Sequence, residues 1–195
     1  MDYEHIVAQL SKILSAKRLQ HSVGVSKTAE KMAEFFGCDK MKAKMAGILH
    51  DVAREVPVDE LLQRAQAFGI VVNDMEKAEP ILLHASLAAK LVQVKFQIHD
   101  VEILQAIFLH TTGGPHMSPL DKIIYLADVI EPGRNGGNLE ELRKVAYIDL
   151  DKAMLMALDQ SISYILARGG LLHPATIEAR NELLIKKCTP TQHTI

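Results

Sequence analysis

Six residues in apolar stretches of the chain have side chains that could do chemistry together. They are His21, His50, Asp51, His84, His110 and Asp128. Asp51 and Asp128 both fall within segments that would otherwise face a protein core. A carboxylate buried alone costs several kcal/mol, so it needs a cation, a hydrogen-bond donor or a proton. A divalent metal ion would satisfy both aspartates at once.

The side-chain types indicate which ions and which reaction such a site would support. Imidazoles and carboxylates without thiolates suit octahedral iron(II), manganese or cobalt, and zinc less exclusively. Cys38 and Cys188 lie far apart and form no C-x-x-C motif, which argues against a thiolate site and a disulfide framework. A water on such an ion has a lowered pKa and can act as a nucleophile, and the ion can polarise a phosphoryl oxygen. The set predicts metal-dependent hydrolysis of a phosphate compound.

The spacing of these residues leaves a structural alternative open. A lone histidine at the end of an apolar stretch is usually a hydrogen-bonded core residue. The adjacent His50 and Asp51 would project about 100° apart on a helix, although neighbouring ligands can converge on one ion at a helix end. More than half of the chain separates His21 from Asp128, so only the fold can bring them together. The histidines predicted to be solvated at the surface are His5, His99, His116 and His193.

Two glycine-containing segments could bind the anionic part of a substrate. Arg134 stands in a loop with three glycines just after the segment that carries Asp128, and could clamp a phosphate or simply be solvated. Residues 169–174 lead into a helix start, where backbone N–H groups could bind a phosphate or a base edge. A plain link between two helices is the alternative for that second segment.

The elements that must position these residues are helices. Apolar residues recur with helical period along nearly the whole chain, which predicts an all-α single domain. Residues 69–80 are predicted to be a connection, with only residues 70–72 resembling a strand. We expect the domain to occupy residues 1–188 and the tail at 189–195 to be frayed. Helices are predicted near residues 3–14, 18–36, 39–56, 58–68, 84–96, 99–110, 118–129, 139–146, 149–168 and 174–187.

Composition limits the classes of partner. The 195 residues carry a formal net charge of -2, so no global basic field attracts nucleic acid or an anionic membrane. No apolar run approaches the about 18 residues of a membrane span. The first residues lack the basic and apolar regions of a signal peptide, which predicts a cytoplasmic location.

The order His21, His50-Asp51 and Asp128 resembles the HD-domain superfamily of metal-dependent phosphohydrolases. Further segments are similar to the YqeK family, the bacterial symmetrical bis(5'-nucleosyl)-tetraphosphatases, and the resemblance spans about residues 10–185. One departure is Arg54, which stands where many HD proteins carry a lysine. The segments that carry the resemblance are residues 18–25, 46–51, 110–113, 125–132 with Arg134, and 173–176 with 179–181.

This resemblance implies a single-domain HD-type helical bundle that hydrolyses diadenosine tetraphosphate to two ADP. It implies one divalent metal ion held by His21, His50, Asp51 and Asp128. The resemblance implies that this ion is iron, with manganese or cobalt as alternatives. It also implies catalytic roles for Asp51, His84, His110 and Arg134, where His84 and His110 bind either a second ion or the phosphates. The implied substrate contacts are His21, Asp51, His84, His110, Thr111, Asp128, Arg134, Gly169, Gly170, Leu171, Leu172, His173 and Pro174.

Rival functions differ in substrate or in chemistry. Another HD phosphohydrolase could act on other nucleotides, although a cyclic-dinucleotide enzyme of the HD-GYP type would carry a second tripeptide that this sequence lacks. A non-catalytic nucleotide sensor would bind an ADP-like nucleotide as a signal. A homodimer is a further expectation, and neither nucleic acid nor a membrane is an expected partner.

Overall fold

The computed structural model of the chain describes residues 2–136 and 138–188, where it has helices and no strand, as the sequence predicts. His193 and the tail at 189–195 lie outside the described residues. The α-helices are α1 (Tyr3–Leu10), α2 (Ala16–Phe35), α3 (Lys40–Leu49), α4 (Val58–Ala67), α5 (Asp74–Ala78), α6 (Leu83–Lys95), α7 (Val101–Leu109), α8 (Pro119–Ile130), α9 (Leu139–Val145), α10 (Leu150–Ala167) and α11 (Pro174–Cys188).

Polar caps fix where the central helices begin. The side chains of Asp39 and Asp100 accept hydrogen bonds from backbone N–H groups in the first turns of α3 and α7. Ser118 and Asp121 form a capping box at the start of α8, with a proline at its first position. Gly37, with φ of 68°, follows α2 in the left-handed region that favours glycine. The boundaries at Gly37, Asp39 and Ser118 confirm the sequence-based predictions, whereas α7 begins at Val101, two residues after its predicted start.

Helices α2, α3 and α8 pack against one another at the centre of the fold. Gly47 lets α3 approach α2 closely, because a Cβ atom there would lie 2.8 Å from the Cα atom of Ser26. The Ser26 hydroxyl donates to the carbonyl oxygen of Lys44 at 2.8 Å, which ties the two helices together. This contact brings the start of α2 and the end of α3 to the same region as the C-terminal half of α8.

The end of α3 differs from the prediction that Asp51 lies inside an apolar helix. The helix ends at Leu49, and His50 and Asp51 lie in the turn that follows. Apolar residues continue to Val52 and Ala53, which are buried in the turn, so the hydrophobic pattern outlasts the helix. The prediction was wrong because burial does not require the helical hydrogen-bond pattern to continue.

The connection predicted at residues 69–80 is partly helical. It contains α5 and leads into a short 3-10 turn at Pro80–Leu82, whereas residues 70–72 lie in no regular element. A capping box of Asn73 and Glu76 starts α5. A helix of five residues is too short to show a hydrophobic period, which is why the pattern missed it.

No helix within the described ranges is both long and apolar enough to cross a membrane.

Candidate metal centre and active site

The structure gathers the six residues singled out from the sequence around one point. His50 and Asp51 follow the end of α3, and His110 follows the end of α7. His84 lies in the first turn of α6. The remaining two residues, His21 and Asp128, lie on α2 and α8. The cluster therefore depends on five helices that are distant in sequence.

Asp51 occupies the centre of the cluster and presents its two oxygens to different histidines. Its Oδ2 atom lies 3.5 Å from the Nε2 atom of His50 and 3.8 Å from that of His21. Its Oδ1 atom lies 3.5 Å from the Nε2 atom of His84 and 3.6 Å from that of His110. One carboxylate thus lies near four imidazoles, two beside each of its oxygens.

Asp128 closes the side of the cluster nearest α2. Its Oδ1 atom lies 2.9 Å from the Nε2 atom of His21 and 3.9 Å from that of His50. The same oxygen accepts a hydrogen bond from Nη2 of Arg134 at 2.6 Å, and Nε of Arg134 donates to the Asp128 carbonyl oxygen at 3.0 Å. The predicted loop arginine therefore reaches the aspartate of the helix that precedes it.

The imidazoles are oriented so that their Nε2 atoms converge. The Nδ1 atoms of His50, His84 and His110 each contact the carbonyl oxygen three residues earlier, at 2.7, 2.5 and 2.7 Å. His21 instead pairs its Nδ1 atom with Oε1 of Glu131 at 3.1 Å. An Nδ1–H that donates in this way leaves an Nε2 lone pair for a metal. The Nε2 atom of His50 is buried and has no hydrogen-bond partner among the described residues, as expected for a ligand atom.

The electrostatics of the cluster keep both aspartates anionic. Burial raises the pKa of Asp51, but the positive charge on His50 and the neighbouring His110 hold it well below its usual range. Burial also opposes ionisation of Asp128, yet the contact with His21 and the charges on His50, His110 and Arg134 together leave its pKa lowered overall. Burial lowers the pKa of His50, but the charges on Asp51 and Asp128 and the contacts with Asp51 and the Gly47 carbonyl together outweigh that effect and raise it. A metal ion that bound here would displace such protons from the histidines.

Three groups drawn from these side chains have ligand atoms within 4.8 Å of one another. The groups are His21, His50 and Asp51; His50, His110 and Asp128; and Asp51, His84 and His110. They contain only imidazole nitrogen and carboxylate oxygen, the donor set of octahedral divalent ions such as iron(II) and manganese. The residues present therefore fit the divalent metal ion that the sequence predicts.

The cluster opens on a cavity of about 920 Å³. Its lining includes Asp51 and Asp128, and three arginines, Arg18, Arg54 and Arg134, bring positive charge to the same cavity. A carboxylate–imidazole centre beside guanidinium groups suits a phosphorylated substrate, because arginine binds phosphate through paired N–H donors. The lining residues are Arg18, Asp51, Arg54, His84, His110, Thr111, Tyr125, Asp128, Val129, Arg134, Asn135, Gly136, Asn138, Leu139, Ala157, Asp159, Gln160, Ser161, Ser163 and Tyr164.

Thr111 lies with the cluster, whereas residues 169–174 do not line this cavity. The Thr111 hydroxyl lies 3.1 Å from Nε2 of His84 and 3.0 Å from Nε2 of His110. The Nε2 atom of His173 lies 3.4 Å from Nδ2 of Asn73 instead. A neighbouring contact, from the Thr176 hydroxyl to the carbonyl oxygen of Thr112 at 2.8 Å, places the start of α11 beside the site. Substrate binding by residues 169–174 stays a prediction.

Two residues outside the predicted set contact the cluster. Arg18 donates from Nη1 to Oδ2 of Asp51 at 2.7 Å. Glu131, 4% exposed, accepts from His21 as described and from the backbone N–H of Gly133 at 2.6 Å. Arg18 lies one helical turn before His21, and this spacing could have pointed to it. Glu131 gave no such signal, because it follows the last residue of α8 at what looks like a loop start.

Glu131→Gln is expected to weaken metal binding about 10- to 100-fold, the usual cost of losing an outer-shell partner of a histidine ligand. Glutamine has nearly the same size, but it removes the charge beside His21. Its amide group would also oppose the N–H of either His21 or Gly133. Competition with a chelating dye measures the affinity, and the thermal midpoint of metal-free protein reports the fold separately. Glu60→Gln, at an exposed helix pair with Arg64, is the control. An unchanged affinity in Glu131→Gln would refute the role.

Known proteins resemble this chain over most of its length. The sequence profile of the HD domain family matches residues 18–133. A symmetrical bis(5'-nucleosyl)-tetraphosphatase from Halalkalibacterium halodurans is 37% identical over 174 residues, 89% of this chain and 92% of that protein. The protein of the same name from Bacillus subtilis is 35% identical over 184 residues, 94% of this chain and 98% of that protein.

A solved structure also matches. The crystal structure of a protein from Clostridium acetobutylicum, described as a predicted HD superfamily hydrolase involved in NAD metabolism, superposes with a TM-score of 0.93 at 41% identity. The match covers 95% of this chain and 98% of that one. The chain belongs to the HD domain family, within the group of symmetrical bis(5'-nucleosyl)-tetraphosphatases.

Proposed function

We propose that this protein is a metal-dependent hydrolase that cleaves diadenosine tetraphosphate symmetrically into two ADP. The observation that carries the proposal is the buried cluster around Asp51, which opens on a cavity with three arginines. The geometry supports phosphate hydrolysis at a metal centre. The names of the Halalkalibacterium and Bacillus relatives support the particular substrate and the symmetrical cleavage.

We assign the ion to His21, His50, Asp51 and Asp128, and iron is the metal we propose, with manganese and cobalt as alternatives. A bound divalent ion would supply a water of lowered pKa and would polarise a phosphoryl oxygen. The anionic Asp51 can accept a hydrogen bond from the attacking water and so fix its direction of approach. Arg134 and Arg18 can donate to phosphate oxygens as charge develops on them.

His84 and His110 have a geometry that favours one of the two roles predicted for them. Each histidine presents its Nε2 atom to a ligand, because its Nδ1 atom contacts a backbone carbonyl oxygen. Burial, together with the charge on His110, lowers the pKa of His84 to about 3, so His84 is neutral there. A neutral Nε2 lone pair suits a second ion better than a phosphate oxygen, which would need a proton on that nitrogen. Metal analysis of active protein decides between one ion and two.

The test is product analysis with defined metals. Protein stripped with a chelator is incubated with diadenosine tetraphosphate and iron(II), manganese or cobalt, and the nucleotides are separated by chromatography. ADP as the sole product, formed only with added metal, supports the proposal. ATP with AMP, or no turnover with any ion, refutes it. Faster turnover of ADP or another mononucleotide would instead favour a phosphatase of different specificity, and tight binding without turnover would favour a sensor.

Two further proposals concern the setting in which the enzyme works. Cys38 and Cys188 are free thiols, which fits a reducing compartment such as the cytoplasm.

Helix α7 has an apolar stripe in which Val101 is 77% exposed and Phe108 50% exposed. This stripe is consistent with a homodimer, and light scattering on the purified protein tests it.

A further inference from the structure

The lining of the cavity combines two chemically different sets of residues. One set is the metal-binding cluster with Arg18, Arg54 and Arg134. The other set is the wall formed by α10, whose one charged lining residue is Asp159, which pairs with Nε of Arg180 at 2.5 Å. Positive charge is therefore concentrated where phosphates would lie, and the α10 wall is left nearly neutral.

The α10 wall presents a continuous stripe of one helix face. Ala157, Gln160, Ser161 and Tyr164 follow the helical spacing of three, one and three residues, so they share a face. Ser161 lies beside the hydroxyl of the buried Tyr125, which also lines the cavity. The stripe combines an apolar surface with amide and hydroxyl groups, the mixture that typically lines a pocket for an uncharged organic group.

Tyr164 is the aromatic residue of this stripe. Its side chain lines the cavity although the residue is 63% exposed. The Arg168 guanidinium lies 5.4 Å from the centroid of the ring, a cation-π distance that helps to hold the ring in place. An exposed aromatic ring on the wall of this cavity offers a planar surface on which a nucleobase can stack.

We propose that the α10 wall is a nucleoside subsite, in which Tyr164 stacks on the base and Gln160 and Ser163 hydrogen-bond its edge or the ribose. The phosphates would then run from this wall toward the arginines and Asp51. The proposal rests on the proposed function for the nucleotide class, and adds which wall recognises the nucleoside. It predicts that Tyr164 distinguishes a nucleotide from a bare polyphosphate.

The test compares ADP with pyrophosphate by calorimetry on the metal-replete protein. The Tyr164→Ala variant loses one base–aromatic stack, so its affinity for ADP should be about 5- to 150-fold weaker than that of the wild type. Tyr164→Phe keeps the ring and should bind ADP as the wild type does. Pyrophosphate, which lacks a base, should bind all three proteins equally. Leu166→Ala is the control, because Leu166 is an exposed apolar residue of the same helix that does not line the cavity.

Unchanged ADP affinity in Tyr164→Ala would overturn the subsite. Equal weakening of ADP and pyrophosphate would also overturn it, since the residue would then act on the phosphates or the fold. Turnover of diadenosine tetraphosphate to ADP, measured on the same preparations, keeps the two proposals separate. If the wild type forms ADP and Tyr164→Ala gives either of these binding results, only the subsite is refuted. If the wild type neither turns over diadenosine tetraphosphate nor binds ADP, the proposed function and the subsite are both refuted.

Discussion

Asp51→Asn is expected to lower turnover of diadenosine tetraphosphate about 10³-fold. The metal stabilises the transition state by several kcal/mol, and each 1.36 kcal/mol of activation free energy changes the rate tenfold. Both oxygens of Asp51 face imidazole Nε2 atoms, so no other carboxylate in the cluster has the same central position. Asparagine keeps the shape but carries no charge and replaces one oxygen donor with an amide nitrogen. Bound metal, measured by mass spectrometry of the purified variant, should fall together with turnover.

The matched control for this substitution is Asp149→Asn. Asp149 is exposed and caps α10 by accepting from the backbone N–H of Lys152 at 2.9 Å. Asparagine caps a helix about as well as aspartate, so metal content and turnover should equal those of the wild type. If Asp51→Asn retains both its metal and its turnover, the assignment of Asp51 as a ligand is wrong.

Arg134→Ala is expected to lower kcat/KM about 10²- to 10³-fold, the effect of losing one preorganised donor to developing charge. Its guanidinium reaches Asp128 from a loop at the cavity and has further N–H groups free to meet a phosphate. Arg134 supports the ligand Asp128 but is not itself a ligand, so the variant should still bind the ion at saturating metal, unlike Asp51→Asn. Arg134→Lys should recover only part of the activity, since lysine keeps the charge without the planar fork of donors.

Arg64→Ala provides the comparison for Arg134. Arg64 forms an exposed pair with Glu60 on α4 and does not line the cavity, so its removal should leave kcat/KM unchanged. Loss of metal from Arg134→Ala would show that the arginine acts by holding Asp128. Unaltered kcat/KM would show that it has no part in the reaction.

The sequence predicts much of the fold because the helix boundaries are locally determined. Asp39, Asp100 and Ser118 cap their own helices, and a capping residue can be recognised without knowledge of tertiary contacts. The short α5 was missed because five residues show no hydrophobic period. The end of α3 was missed for the opposite reason. Tertiary packing buries the turn after Leu49, so the apolar pattern runs past the end of the helix.

The site could be predicted only in part. Burial of the acids and histidines could be inferred from their apolar neighbours, and the structure indeed leaves His50 0% exposed and Asp51 3% exposed. The contact between Glu131 and His21 could not be inferred from the sequence, because it depends on space left by glycines on two elements. A Cβ atom at Gly24 would lie 2.5 Å from Oε2 of Glu131, and one at Gly133 would lie 2.9 Å from Oε1. Such three-dimensional complementarity has no periodic signature in the sequence.

The most direct test of the account is hydrolysis of diadenosine tetraphosphate in water labelled with heavy oxygen, followed by mass spectrometry of the products. Attack of water on one of the two central phosphorus atoms gives two ADP molecules, and one of them carries a single labelled oxygen on its terminal phosphate. We therefore predict that ADP is the sole nucleotide product, that half of it is labelled, and that a chelator prevents its formation. Labelled ATP or AMP, or the same turnover after the metal has been removed, would contradict the account.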